Sequence, residues 1–239
     1  MQYRIADLFV EMNPQHDPLK SQSLPWLSTS NERSDSIATI DESEYVILRN
    51  KHPNASDGLL EYMYTASKFY SDLIEHKGIF VHASAVAMDG KAYLFSAASG
   101  TGKSTHTALW KKVFGDRAVI LNDDKPAIRL LEDQIYAYGT PWSGKTDLSK
   151  NMRVPLQGIC FLVRGTENHI SPISPQTAIP KLLEQTLLPN DANRMNQLLD
   201  IVQEVLERIP FYEMKCNMDP SAARLSYETM VKGVITNEN

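Results

Sequence analysis

A glycine-rich segment contains the residue types in this sequence that most directly suggest chemistry. Residues 97–104 read Ala-Ala-Ser-Gly-Thr-Gly-Lys-Ser, which matches a phosphate-binding loop except that Ala97 stands where the first glycine is expected. In such a loop, small residues let backbone N–H groups approach phosphate oxygens, a lysine reaches the β- and γ-phosphates, and a hydroxyl binds Mg²⁺. We therefore predict an ATP and Mg²⁺ site whose nucleotide-binding residues are Ser99, Gly100, Thr101, Gly102, Lys103, Ser104 and Thr105.

The alternative interpretation of this segment is a surface turn with a solvated lysine. Its neighbours argue against that alternative, because the apolar run 92–95 predicts a strand before the loop and residues 104–114 predict a helix after it. The positive end of the helix dipole would then lie at the same anion site. Ala97 matters only if its position requires a positive φ, where alanine has a steric cost that glycine avoids.

Two neighbouring acids, Asp123 and Asp124, follow the apolar run 118–121. In phosphoryl transfer, one carboxylate binds the metal ion and another accepts the proton of the attacking hydroxyl. We place Ser104 and Asp124 on the metal, although the two acids could exchange roles. The alternative is an acidic turn that merely closes a strand, and the glycine-rich loop upstream argues against it. Hydrolysis of a nucleoside triphosphate needs only the metal carboxylate, so the pair favours transfer to a hydroxyl.

A third candidate is the turn at residues 139–145, Gly-Thr-Pro-Trp-Ser-Gly-Lys. It combines hydroxyls, a flexible glycine and a lysine, so Ser143 and Lys145 could contact the acceptor or a phosphate. Arg153 could act as a phosphate clamp nearby. The alternative is a tight structural turn anchored by Trp142, with Arg153 as a solvated charge.

His82, the loop and the paired acids, in this order, resemble the catalytic core of the HPr kinase/phosphorylase family over about residues 78–165. The resemblance implies a phosphoenolpyruvate carboxykinase-like nucleotide-binding fold and a kinase that acts on a serine-type hydroxyl. It also implies that His82 lies near the transferred phosphate, with Lys103, Asp123 and Asp124 in the catalytic centre. The acceptor, the use of pyrophosphate in place of ATP, and reverse phosphorolysis stay open. The competing interpretations are a phosphoenolpyruvate carboxykinase-like or NTP-hydrolysing enzyme and an ATP-sensing regulatory protein.

The elements that must position these residues alternate between strands and helices. We predict an α/β fold with a mixed sheet, made of a small β-rich N-terminal lobe at 1–55 and a P-loop kinase core at 56–239. The two parts could form one continuous domain. The apolar runs 8–10 and 45–48 are expected as strands of the lobe, and a helix that Asp57 could cap is expected at about 57–76. Asp89-Gly90 predicts a hairpin between strands 85–88 and 92–95. Further strands are expected at 127–130, 134–138, 156–163 and 211–216, and helices at 177–188, 192–208 and 220–233.

Composition limits the classes of partner. The 239 residues carry a net charge of −5, which argues against nucleic acid or anionic lipid as a general partner. Cys160 and Cys216 stand far apart without metal-ligand spacing, which is typical of free thiols in a reducing compartment. No run of apolar residues is long enough to span a membrane. We expect a cytoplasmic enzyme whose partners are a nucleotide and a hydroxyl-bearing small molecule, peptide or protein, and a homo-oligomer is allowed.

Overall fold

The computed structural model describes residues 1–30, 32–132 and 134–233. Within these residues the chain is a mixed α/β protein with two sheets and seven α-helices. The strands are β1 Gln2–Ile5, β2 Leu8–Glu11, β3 Ser36–Ile37, β4 Gly78–Phe80, β5 Ala83–Met88, β6 Lys91–Ser96, β7 Val119–Asn122, β8 Ala127–Leu131, β9 Gln134–Tyr138, β10 Arg153–Arg164, β11 His169–Pro172 and β12 Phe211–Cys216. The helices are α1 Leu19–Gln22, α2 Glu42–Lys51, α3 Asp57–Leu73, α4 Lys103–Phe114, α5 Pro175–Leu183, α6 Ala192–Arg208 and α7 Ser221–Met230.

The larger sheet confirms the predicted mixed α/β architecture. Its strands follow the order β4-β8-β9-β10-β6-β5-β7, and β12 pairs with both β10 and β11. The long strand β10 joins antiparallel and parallel parts, because its first residues pair antiparallel with β9 while later residues run parallel to β6 and β12. β1, β2 and β3 form a separate three-stranded sheet.

Strand register brings three chain segments to one edge of the larger sheet. The predicted hairpin is confirmed: β5 and β6 pair antiparallel, and Asp89 and Gly90 have φ values of 51° and 75°. Ala83 pairs with Ser96, which places the start of β5 beside the end of β6. β7 also runs antiparallel to β5, so its end meets the start of β5 as well. The residues that follow β6 and β7 therefore lie close to those that precede β5.

Both faces of β6 are buried. Ala92 and Leu94 belong to the cluster that includes Leu182 and Val202 of α5 and α6. Tyr93 and Phe95 point to the opposite face, in a cluster that includes Trp110 of α4 and Met230 of α7. A third cluster joins the N-terminal strands to α3 and to Trp142. The loop that follows β6 is therefore attached to a strand packed on both sides.

Two local predictions in the first part of the chain are wrong. Residues 45–48 lie in helix α2, because Asp41 and Glu44 form a reciprocal capping box and only Tyr45 and Leu48 of that run are buried. The N-terminal segment is therefore mixed rather than β-rich. Helix α3 is capped by Ser56, whose hydroxyl accepts from the amide of Leu59, and Asp57 instead pairs with Arg49 at 2.8 Å.

Helix α5 ends at Leu183 rather than at residue 188. The chain leaves the helix because its next residues bond to the connection between β4 and β5. The Thr186 hydroxyl donates to the carbonyl of Phe80 at 2.7 Å, and the amide of His82 donates to the carbonyl of Gln185 at 2.7 Å. None of the helices in the described part of the chain is long and apolar enough to cross a lipid bilayer.

Candidate active site

A cleft of about 1170 Å³ opens at the edge where β5 begins and β6 and β7 end. Most of the residues singled out from sequence line it. They are His82, Ser99, Gly100, Lys103, Ser104, Asp123, Asp124 and Lys145. A second cavity of about 450 Å³ shares Gly100 with the cleft and is lined by Thr101, Gly102 and Thr105, together with residues that follow β10 and β12. The glycine-rich loop thus separates two concave surfaces.

Left-handed glycines shape the loop. Gly100 and Gly102 have φ values of 75° and 119°, a region that other residues seldom adopt. Ala97 is absent from the positive-φ residues of the described chain, so alanine at this position carries no backbone strain. Gly102 occupies the N-cap of α4 and has no side chain to cap it. The first amides of α4 therefore lack a side-chain acceptor and can bind an anion.

Lys103 lies beside the acids in the cleft. The residue is only 9% exposed, and Nζ donates a 3.0 Å hydrogen bond to the carbonyl of Ala97 in its own loop. Burial lowers the pKa of Lys103 below its usual value, while the negative charges of Asp124 and Asp123 act in the opposite direction. The ammonium group is therefore held inside the site by the neutral carbonyl of Ala97, which a phosphate oxygen could replace.

Asp123 is buried and held by hydroxyl groups on both carboxylate oxygens. Ser84 donates to Oδ1 at 2.5 Å and Thr146 donates to Oδ2 at 2.7 Å. The Ser84 hydroxyl also lies 2.7 Å from Oγ1 of Thr107 on α4. Sequence reasoning missed these three hydroxyl residues, although Ser84 lies only two residues after His82 in the sequence.

The turn that carries the two acids is fixed by Asn122. Its side-chain oxygen accepts from the amides of Asp124 and Lys125 at 2.9 and 2.7 Å, and its side-chain nitrogen donates to the carbonyl of Thr140 at 3.0 Å. An asparagine that accepts from the following amides forms an Asx turn, a signal present in the sequence. Asn122 therefore orients Asp124 without lining the cleft itself.

Asp124 contacts two cationic or potentially cationic groups. His82 Nε2 lies 3.4 Å from Oδ1, and the ammonium of Lys125 contacts Oδ2. Burial alone would raise the pKa of Asp124, but the hydrogen bond with His82 and the charge of Lys125 outweigh it and lower the pKa below its ordinary value. Lys125 Nζ also lies 5.1 Å from the ring centroid of Tyr62. Sequence reasoning did not single out Lys125, despite its place directly after the acids.

The turn 143–147 covers the acids, whereas Arg153 does not reach them. The amide of Gly144 donates to the hydroxyl oxygen of Tyr62 at 2.7 Å, and Lys145 is exposed in the cleft wall. Ser143 is buried and does not line the cleft. Arg153 pairs with Asp7 at 2.8 Å on the surface, so the structure does not bring it to the cleft as a phosphate clamp.

Fold and site together define a mixed α/β protein in which a glycine-rich loop between a strand and a helix faces a pair of acids across one cleft. The chain belongs to the ScmC family, described as SynChlorMet cassette protein ScmC, whose model matches residues 50–221. No curated protein matches the chain.

A solved structure of the Hpr(Ser) kinase/phosphatase from Coxiella burnetii is similar to this chain. Sequence identity is 14%, the match covers 64% of this chain and 93% of that chain, and the TM-score is 0.36. At this level of similarity, the function of the present chain must be argued from its own residues.

Proposed function

We propose that this protein is an ATP-dependent kinase that transfers the γ-phosphoryl group to a hydroxyl. The observation that carries the proposal is the convergence of Lys103, His82, Asp123 and Asp124 on one cleft, beside the uncapped N-terminus of α4. Phosphoryl transfer depends on positioning and charge neutralisation, and this set provides a cation, hydrogen-bonding groups and two carboxylates.

The loop holds the donor phosphates. Backbone amides of residues 100–104 and the Lys103 ammonium bind the phosphate oxygens, and the lysine exchanges its bond to the Ala97 carbonyl for one to the nucleotide. The nucleoside occupies the smaller cavity, which Arg164 borders while it donates a 2.6 Å hydrogen bond to the carbonyl of Gly100. The loop thereby separates the nucleoside from the reacting phosphate.

The acidic side of the cleft suits a magnesium ion. Mg²⁺ prefers oxygen ligands and is usually bound by one or two carboxylates together with substrate phosphates. Ser104 and Asp124 would hold the ion, because both line the cleft. The partners of Asp124 are the side chains of His82 and Lys125, which can move away when the carboxylate binds the metal. When bound, Mg²⁺ neutralises charge on the phosphate oxygens.

The remaining groups act on the acceptor. The acceptor oxygen forms a bond to the γ-phosphorus as the bond between that phosphorus and the bridging oxygen of ADP breaks. The proton of the hydroxyl passes to the carboxylate of the acid pair that is not on the metal, which we take to be Asp123. His82, with a side chain 35% exposed, lies beside Asp124 where it can donate to the transferred group.

Nucleotide hydrolysis and nucleotide sensing are the competing functions. Hydrolysis needs no acceptor site, and sensing needs no base. The second acid and a cleft larger than the phosphates require favour transfer to an acceptor. Product analysis separates the three, because only the kinase forms a phosphorylated hydroxyl compound.

The test uses ATP labelled at the γ-phosphate, Mg²⁺, and a panel of serine, small-alcohol, peptide and protein acceptors. We expect label on a hydroxyl acceptor, with transfer reduced about a hundredfold or more in Lys103→Ala. Lys111→Ala is the matched control, since Lys111 lies on the same helix and pairs with Asp116 on the surface. Unaltered turnover in Lys103→Ala, or no binding of Mg·ATP to the folded protein, would contradict the proposal.

A further inference from the structure

The cleft extends well beyond the groups that handle phosphate. Past Asp124 and Lys125 it continues into a chamber lined by one face of α3 and by the end of β4. We call this the α3 chamber, and its main apolar side chains are Leu59, Tyr62, Met63, Ala66, Tyr70 and Phe80. These six side chains are uncharged, although Asp17 and Lys125 line the same cleft and Lys125 Nζ lies 5.1 Å from the Tyr62 ring centroid.

Two apolar side chains of the chamber are strongly exposed. Leu59 is 47% exposed and Met63 is 49% exposed, and they lie one helical turn apart on the same face of α3. Adjacent exposed apolar residues at the mouth of a cleft favour a ligand with an apolar group. Leu59 and Met63 are not needed to pack the helix, because the buried face of α3 is formed by other residues such as Leu60 and Phe69.

The tyrosines connect the chamber to the reaction centre. The Tyr70 hydroxyl donates to the carbonyl of Lys125 at 2.5 Å, and the Tyr62 hydroxyl accepts from the amide of Gly144. Both polar tips are thus tied to the segments that surround Asp124. A molecule in the chamber packs against aromatic rings whose positions are set relative to the acids.

The opposite wall is the N-terminal segment 17–22, which packs on α3 and on the turn 143–147. The amides of Gln15 and His16 each donate at 2.8 Å to the carboxylate of Glu61. A Cβ on Gly58 would lie 2.2 Å from the carbonyl oxygen of Asp17, which shows how closely the segment packs on the helix. Gln22 donates to the carbonyl of Gly144 at 3.2 Å. The chamber therefore has two anchored walls.

We infer that the α3 chamber binds the phosphoryl acceptor and selects one that carries an apolar, preferably aromatic, group next to its hydroxyl. The inference rests on the proposed kinase function, because the phosphates occupy the loop end and leave this end of the same cleft for the acceptor. The apolar group lies against Leu59, Met63 and the tyrosine rings, and the hydroxyl faces Asp123 and Asp124.

Binding of two defined probes tests the inference without turnover. N-acetyl-phenylalanyl-serinamide and N-acetyl-glycyl-serinamide, which differ only in the aromatic side chain, are titrated by calorimetry into full-length protein with Mg²⁺ and a non-hydrolysable ATP analogue. We expect the aromatic probe to bind about tenfold more tightly or better, as expected for burial of one large apolar side chain. Equal affinities, or no binding of either probe, would overturn the inference.

A matched pair of variants tests whether the difference in affinity between the two probes arises in the α3 chamber. Met63→Lys places a charge in the chamber, and Val46→Lys places one at an apolar residue of α2 that is 50% exposed and does not line the cleft. We expect Met63→Lys to remove the preference for the aromatic probe with affinity for the ATP analogue unchanged, and Val46→Lys to keep it. If both variants lost the preference for the aromatic probe to the same extent, the inference would be wrong.

Failure of the kinase itself gives a different result. If the label of γ-labelled ATP never reaches a hydroxyl while the aromatic probe still binds and Met63→Lys still weakens it, the proposed function is wrong and the chamber remains a binding site for apolar ligands.

Discussion

The hydroxyl of Ser84 donates a 2.5 Å hydrogen bond to Asp123 and lies 2.7 Å from the hydroxyl of Thr107. Ser84 belongs to β5, Asp123 follows β7, and Thr107 lies on the helix that begins at the glycine-rich loop. All three are buried. The acid and the helix are thereby linked through one fully buried side chain.

Replacement of Ser84 by alanine tests this link. Asp123 would lose a donor to its buried carboxylate, and we expect the free energy of unfolding to fall by about 1–3 kcal/mol. Turnover should fall as well, because Asp123 loses its orientation. Ser96→Ala is the control, since Ser96 is also fully buried but donates to the neutral carbonyl of His82. Denaturant unfolding and kinase assays measure both effects, and equal losses of turnover in the two variants would argue against a special role for Ser84.

The two acids should differ in their dependence on magnesium. Asp124→Asn should raise the Mg²⁺ concentration needed for half-maximal transfer, because its carboxylate has a side chain 22% exposed in the cleft and is placed on the metal. Asp123→Asn should instead lower kcat at saturating Mg²⁺, by about a hundredfold or more. Chelation of Mg²⁺ should stop transfer in the wild-type protein. Titrations of Mg²⁺ at fixed ATP decide the assignment, and full activity in both variants would make the pair structural.

Gly144 is expected to be needed for its close approach to Asp124. It has a φ of 72°, and a Cβ there would lie 3.0 Å from Cβ of Asp124. Gly144→Ala therefore adds both backbone strain and a contact with the acid. Gly115 has φ 61° and ψ −134°, which a side chain rarely adopts, and a Cβ added there would meet nothing within 4 Å, so Gly115→Ala adds the strain alone, about 1–3 kcal/mol.

Comparison of the two glycine variants separates the effects. Both variants should lose stability, but only Gly144→Ala should lose turnover, by about tenfold or more through displacement of Asp124. Thermal unfolding and initial rates provide the measurements. A Gly144→Ala protein with the rate of the Gly115→Ala protein would show that the close approach does not matter.

His106 should make the stability of the protein depend on pH. It is 2% exposed between Phe95 and Ser226, and burial lowers its pKa to about 4. The unfolded chain, with an ordinary histidine pKa near 6.5, binds more protons than the folded chain between these two values. The contribution of neutral His106 to the free energy of unfolding is therefore fully present above about pH 6.5. It is lost as the pH falls towards 4, by about 3 kcal/mol in total.

The pH prediction is checked by denaturant unfolding at several pH values between 4 and 7. His106→Gln keeps a polar side chain of similar size but cannot titrate, so its stability should vary less over this range. Other acids titrate in both proteins, and the difference between the two curves isolates the histidine. Parallel curves would show that His106 is not kept neutral by the fold.

Several elements could be predicted because their causes are local. The Asp89-Gly90 turn requires positive φ at both residues, and the burial of β6 follows from its apolar run. Two of the errors, both in the first part of the chain, were local too. The run 45–48 is apolar enough for a strand, but the capping box of Asp41 and Glu44 starts a helix there, and competing acceptors at Ser56 and Asp57 made the cap ambiguous.

By itself, the sequence determined the glycine-rich loop with its flanking strand and helix, and the paired acids after β7, since turn chemistry and apolar periodicity act over short distances. Only the tertiary structure decided which side chains meet. Antiparallel register brings His82 to Asp124 and Ser84 to Asp123, while Asp7 holds Arg153 elsewhere. The tertiary structure also places the N-terminal segment 17–22 opposite α3, as a wall of the cleft. Such contacts join residues distant along the chain, and local preferences do not encode them.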